Sequence, residues 1–424
     1  LANERNDIRP LIHYKLILIA ICLLSTISFV SAIAPIAYFS MSVNGNAIRL
    51  NTTDIPIVSS NGYNGIGAPE SLNGYALGGS YYGGGTQYPA YTHGVPGGSY
   101  DGSTVSTKTR LLEALNQAGN GVGGAVIYID PSVNIDMGNT IHVKIPGNTT
   151  IASNRGVGGS PGGRIYTKAL GSSWQGRLFE TDGSNVRITG LRLEGEAYPE
   201  NYDPPNDDEG SIYRIGLTIY HTNCVVDNND IYGFAYANIL VRDVPTNGRP
   251  WIHHNYIHGS QNRHEGYGIE VADGDVLVEG NVFDRNRHDM TGSGEESEKY
   301  TFRYNKILGT EYQIVGMSHI DVHGRGSDEQ YSGTRYDIYS NTIEGGSSSA
   351  VHQRGISQGT YIYNNIFKTF PDGCGWTYQN VPIYQTCYPQ CGNMHVTNNY
   401  WSPVKNGQIK LYPTESGIVW YQGG

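Results

Sequence analysis

Seven copies of one short pattern dominate the chain between residues 226 and 401: an Asn with a large apolar residue three positions before it and another two positions after. The anchors are Asn229, Asn255, Asn281, Asn305, Asn341, Asn365 and Asn399, spaced by 26, 26, 24, 36, 24 and 34 residues. Val226, Ile252, Val278, Phe302, Ile338, Ile362 and Val396 precede them; Ile231, Ile257, Phe283, Ile307, Ile343, Phe367 and Trp401 follow. The residues between vary freely through Asp, His, Glu, Arg, Tyr and Lys, so each copy reads as strand, bend and strand with one face buried. A period near 24 is too short for a propeller blade, and flanks rich in Val, Ile, Tyr and Thr exclude helical solenoids. The remaining solution is an all-β parallel β-helix, each coil about 4.8 Å from the last and burying a core that no single coil could form. Asn suits the bend because it tolerates left-handed backbone angles and can bond its copy in the next coil. The register turns Phe302 and Ile338 inward, where truncation is costly. Lys306 faces outward and should tolerate replacement.

Composition agrees with strands and tight turns. The 424 residues include 57 Gly and 33 Tyr, with only 16% charged. A net charge of −10 without a basic run excludes nucleic acid as a partner, because phosphate neutralisation needs clustered Lys and Arg. Residues 1–34 hold an apolar stretch from Leu16 to Ala34 behind Arg5, Arg9 and Lys15, expected to be a cleaved signal peptide or a retained membrane anchor. Either way the rest of the chain is expected to be extracellular or at the cell surface, with membrane contact only through this segment if it is uncleaved. Residues 44–105, rich in Gly, Ser and Tyr, read as a flexible linker. Residues 106–424 form the β-helix domain. STKTRLLEALNQ, from Ser106 to Gln117, reads as a short helix capping the open N-terminal end.

Beyond each Asn bend lies a third strand: NILVRDV from Asn238, GIEVA from Gly268, HDMTG from His288, HIDVHG from His319 and AVHQRG from Ala350. Alternation turns Ile239, Val241, Ile269, Val271, Met290, Ile320, Val322 and Val351 inward. It leaves Arg242, Glu270, Asp289, Asp321, His323, His352 and Arg354 on one exposed strip. Carboxylates on adjacent coils would stand about 5 Å apart, close enough for Glu270, Asp289 and Asp321 to share a cation such as calcium or to work as an acid and base. Glu270, Asp289, Asp321, His323, His352 and Arg354 are therefore the candidate catalytic residues, with Arg354 near enough to pair with Asp321. The same residues also read as a solvated charge ladder. On the exposed-strip reading, removing Asp321 and Arg354 together should abolish glycan binding and leave unfolding nearly unchanged. Elsewhere, His253, His254, His258 and His264 make a His-rich coil able to take a metal or simply be solvated. Cys374, Cys387 and Cys391 share one loop in which two could pair, and Cys224 reads as core.

The stretches IPGNTTIASNRGVGGSPGG from Ile145 and VRITGLRLEG from Val186, with the Asn-anchored coils, resemble the pectate-lyase-like superfamily. GYGIEVADGDVLVEGNVFDRNRHDMTGSG, from Gly266, looks like the β-helix surface proteins of archaeal and bacterial genomes. The resemblance covers roughly residues 106 to 401 and implies a right-handed helix. It also implies a scaffold shared by lyases, hydrolases, epimerases and binding proteins. Pectate lyases pair an acidic calcium cluster with a basic residue that removes the proton beside a uronate carboxylate. This chain departs from their motifs: PWIHHN places His253 where the WIDH signature has Asp, and GTRYDIYSN offers Arg335 alone in place of RxPxxR. Two functions are expected from these features. One is an exported enzyme, a polysaccharide lyase or glycoside hydrolase, acting on an acidic polysaccharide. The other is a non-enzymatic adhesin or envelope scaffold.

Overall fold

The computed structural model describes residues 104–120, 125–167, 176–196, 214–261, 265–309, 318–325, 331–345 and 349–368, together with short strand segments elsewhere. The chain winds as a right-handed parallel β-helix. Each coil contributes one strand to each of three sheets, and among the described residues these sheets carry ten, eleven and nine strands. The first sheet runs from Ala125–Tyr128 to Met394–Thr397, the second from Asn134–Asp136 to Lys410–Leu411, and the third from Val143–Pro146 to Ile383–Gln385. All neighbours in the three are parallel except the last pair of the second, where Lys410–Leu411 runs antiparallel to Tyr400–Ser402.

The predicted register holds. Val226, Ile252, Val278, Phe302, Ile338, Ile362 and Val396 stand opposite one another along the first sheet. Ile231, Ile257, Phe283, Ile307, Ile343, Phe367 and Trp401 do the same in the second. Except for Trp401, whose side chain lies outside the described residues, all belong to one continuous core. Truncating Phe302 to Ala should therefore cost about 3–5 kcal/mol, read as a lower denaturation midpoint, because it opens a cavity against Phe283, whose ring centroid lies 5.5 Å away.

The seven Asn form an unbroken ladder between the first and second sheets. The backbone N–H of each donates to the side-chain oxygen of the next, from Asn229 to Asn255 at 2.9 Å through to Asn365 to Asn399 at 2.9 Å. Each Nδ2 reaches back to the carbonyl of the preceding coil's first-sheet apolar residue, from Asn229 to Ile188 through to Asn399 to Ile362. The left-handed residue is not the ladder Asn but the one before it: Asn228, His254, Gly280, Tyr304, Ser340 and Asn364 all have φ between 53° and 63°. The bend is made by that residue, and the ladder Asn is required for its side chain.

The capping helix, α1, spans Lys108–Asn120 and buries Leu111, Ala114 and Leu115 against the first strands of the first and third sheets. Thr107 Oγ1 accepts from the Arg110 N–H at 3.3 Å as its N-cap. Lys306 differs from expectation. It faces outward beside Val282 in the second sheet, yet is only 2% exposed and pairs with Glu344 at 3.1 Å. An apolar cluster of Tyr256, Val282 and Tyr304 lies outside the coil there, so an outward side chain at this point of the sheet is not a solvated one. The apolar segment of residues 1–34 lies outside the described residues, as do residues 44–103 apart from two short strands, and among the described residues no helix is long and apolar enough to cross a membrane.

Candidate functional site on the third sheet

The third sheet pairs Thr218 with Leu240, Leu240 with Glu270, Glu270 with Thr291, Thr291 with Asp321 and Asp321 with His352. These residues make one outward row, since the predicted inward residues of the same strands all lie in the core. Glu270, Asp321 and His352 thus share the predicted row, but Thr291 separates the two carboxylates, which stand two strand spacings apart rather than one.

Asp289 is not in the row. It is 1% exposed and accepts from Asn286 Nδ2 at 2.9 Å and pairs with His319 Nδ1 at 2.7 Å, in a polar stack that continues to Asn238. The strand turns a corner before Met290, and the simple alternation slips there by one residue. Gly268 on the neighbouring coil makes room, because a Cβ at that position would stand 2.6 Å from the Asp289 carbonyl oxygen. The slip places His288, which the sequence reading left out, beside Asp321, with Nε2 3.6 Å from Oδ2.

The strip is covered rather than exposed: Glu270 is 6% and Asp321 1% accessible. Arg354 clamps Asp321 through both oxygens, Nε to Oδ1 at 3.0 Å and Nη2 to Oδ2 at 2.6 Å, as the sequence suggested. Burial alone would raise the Asp321 carboxyl, but Arg354 and the adjacent His288 and His352 hold it well below the usual carboxylate range. Burial pushes His352 down to about 4 and His288 down to about 3, so both rings are neutral near pH 7. His323 is half-buried and donates from Nδ1 to the Gly324 carbonyl at 2.6 Å. Arg242 is exposed, 3.6 Å from Asp243. Glu270 has the opposite environment from Asp321. Burial pushes it up to about 7 against the Tyr236 hydroxyl that bonds it, and its Oε2 is buried without a hydrogen bond.

Glu270, Asp289 and Asp321 are therefore not gathered around one point. Among the described residues no group of three or more His, Cys, Asp or Glu is arranged to hold a metal ion. In the His-rich coil, His253 and His254 bond each other at 2.8 Å, and His258 lies between the Tyr232 and Tyr256 rings and bonds Asp230 at 2.9 Å. His264, Cys374, Cys387 and Cys391 lie outside the described residues, while Cys224 is a free thiol in the core.

Glu298 is a further buried carboxylate without a signal in the repeat. It accepts from the Ser293 and Gly294 N–H groups at 2.8 and 3.0 Å and from the Tyr336 hydroxyl at 2.8 Å, filling the space above Gly292. Burial raises it to about 8, so the folded chain holds a proton that the unfolded chain releases near 4.5. Its contribution is complete below about 4.5, falls by roughly 1.4 kcal/mol per pH unit and is gone above about 8. Denaturation across that range should show Glu298→Gln losing this part of the slope.

No protein-family model matches the chain, and no curated protein matches it. Among solved structures it is similar to an alginate lyase from Paenibacillus sp. str. FPU-7, with a TM-score of 0.41 and 15% identity over 70% of this chain and 98% of that one. It is also similar to ORF18 of Geobacillus virus E2, with a TM-score of 0.39 and 12% identity over 71% of this chain and 58% of that one. The Agl-KA catalytic domain gives a TM-score of 0.28 and 10% identity over 74% and 69%. These likenesses are too distant to carry chemistry across, so the function is read from this chain's own residues.

Proposed function

We propose that this chain is an exported or surface-held β-helix that cleaves the glycosidic bonds of an acidic polysaccharide by acid and base catalysis on the third sheet, through elimination or hydrolysis. The observation that carries this reading is the contrast between Glu270 and Asp321. They are two carboxyls in one outward row, one pushed up to about 7 and the other held ionised by Arg354. Carboxyls whose environments drive them apart divide into a proton donor and a fixed anion. Two strand spacings place them roughly 9–10 Å apart, at the upper end of the separation that leaves room for a reacting group between two carboxyls. Glu270 donates its proton to the departing sugar oxygen, and the Asp321 cluster serves the other side.

The test is incubation of the full chain with polygalacturonate, alginate and neutral glucans, with and without calcium, following both reducing ends and unsaturated products. Cleavage of a uronate polymer is expected, with Glu270→Gln lowering kcat about 10²–10⁴-fold. Because the donor must be protonated, wild-type kcat should fall as pH rises through about 7. Undiminished turnover by Glu270→Gln would remove the assignment. A second reading, a non-enzymatic adhesin or scaffold, is favoured by the closure of Arg354 on Asp321, which occupies the cation best placed to grip a uronate. Binding without new ends would support it.

A further inference from the structure

We propose that His288 is the proton acceptor of this cleavage, taking a substrate proton at Nε2 beside Asp321. The inference rests on the cleavage reading above and names a group that reading leaves open. His288 Nδ1 lies 2.6 Å from the Ser318 carbonyl oxygen, which can only accept, so the proton of the neutral ring sits on Nδ1. Nε2 then carries a bare lone pair. It is buried without a hydrogen bond, and Asp321 Oδ2 lies 3.6 Å away. Two buried acceptors therefore face each other with no hydrogen between them, an arrangement that costs free energy until a proton or a donor enters. Asp321 cannot turn away, because Arg354 grips both of its oxygens. The same clamp leaves Asp321 a poor base, and its fixed charge partly offsets the burial that disfavours the imidazolium formed when Nε2 is protonated. The ring is held in place by the Ser318 bond and by Tyr267, whose ring stacks at 5.9 Å on the neighbouring strand. Glu270, three residues after Tyr267 on that strand, stands in the outward row that continues through Thr291 to Asp321.

In elimination, Nε2 takes the proton from the carbon beside the uronate carboxylate. The electron pair left behind forms the carbon–carbon double bond, the bond to the leaving sugar oxygen breaks, and Glu270 protonates that oxygen. In hydrolysis, Nε2 takes the proton from a water whose oxygen bonds to the anomeric carbon as the same bond breaks. In both, one proton is taken by His288 and one is given by Glu270.

The experiment uses the full chain and the uronate polymer that wild type cleaves fastest. His288→Ala should lower kcat about 10²–10⁴-fold, leave KM within about threefold and regain part of its rate when free imidazole is added. His288→Gln, which can still donate to the Ser318 carbonyl but cannot take up a proton, should remain folded and stay inactive in imidazole. Turnover by either variant within about threefold of wild type overturns the proposal. So does a loss in His288→Ala that imidazole leaves untouched while KM rises, which would make the ring a binding or packing group. A wild-type chain that cleaves no polymer overturns the functional reading itself, an outcome distinct from failure at His288 alone.

Discussion

Replacing Asn281 by Ala is expected to destabilise the chain by about 3–5 kcal/mol, although no apolar volume of note is lost. Asn281 is fully buried. Its Oδ1 accepts from the backbone and side-chain N–H groups of Asn255 at 2.9 and 3.0 Å, and its Nδ2 donates to the Ile252 carbonyl at 2.9 Å and to Asn305 at 3.1 Å. Alanine would leave donors and an acceptor of two neighbouring coils dry and unpartnered, each costing about 1–3 kcal/mol. The same substitution at Asn120, exposed at the end of α1, should stay within about 0.5 kcal/mol. Urea denaturation of both variants measures the difference. Leu191 shows what the ladder tolerates at its upper end: its N–H donates to Asn229 Oδ1 at 3.0 Å, but it offers no side-chain acceptor to the coil before it.

Asp321→Ala is expected to cost about 3–5 kcal/mol, because it leaves the Arg354 guanidinium without its buried partner. Arg354→Ala should cost at least as much, since it leaves the Asp321 carboxylate, 1% exposed, without its cation, whereas the Arg354 side chain left by Asp321→Ala retains 23% exposure to water. The double variant should lose less than the sum of the two, with a coupling of about 1–3 kcal/mol in a double-mutant cycle. A solvated strip would have predicted almost no change in unfolding for the pair. The buried, bidentate geometry reverses that expectation, so activity losses in these variants must be read beside their stability.

The seven-Asn ladder and the two apolar rows were legible because spacing alone specifies them: one residue type at a fixed offset must stack once the coils are parallel. The strip was only partly legible. Alternation assigned Glu270, Asp321 and His352 to one row and paired Asp321 with Arg354. It failed at the corner before Met290, where one slipped residue sends Asp289 inward and His288 outward. Nothing in the local pattern marks that slip except Gly268 on the neighbouring coil. Exposure was misread for a different reason. Whether an outward side chain meets water depends on neighbours such as Tyr236 beside Glu270 or Val282 beside Lys306, and strand periodicity carries no information about them.

Amide hydrogen exchange of the full chain, with and without a uronate pentasaccharide, locates the ligand most directly. Engagement at the third sheet would slow exchange in Tyr267–Ala272, His288–Gly292 and Ile320–Val322 and leave the outer faces of the first and second sheets unchanged. Protection confined to those other sheets, or none at a concentration that saturates turnover, would contradict a catalytic strip built around Glu270, His288 and Asp321.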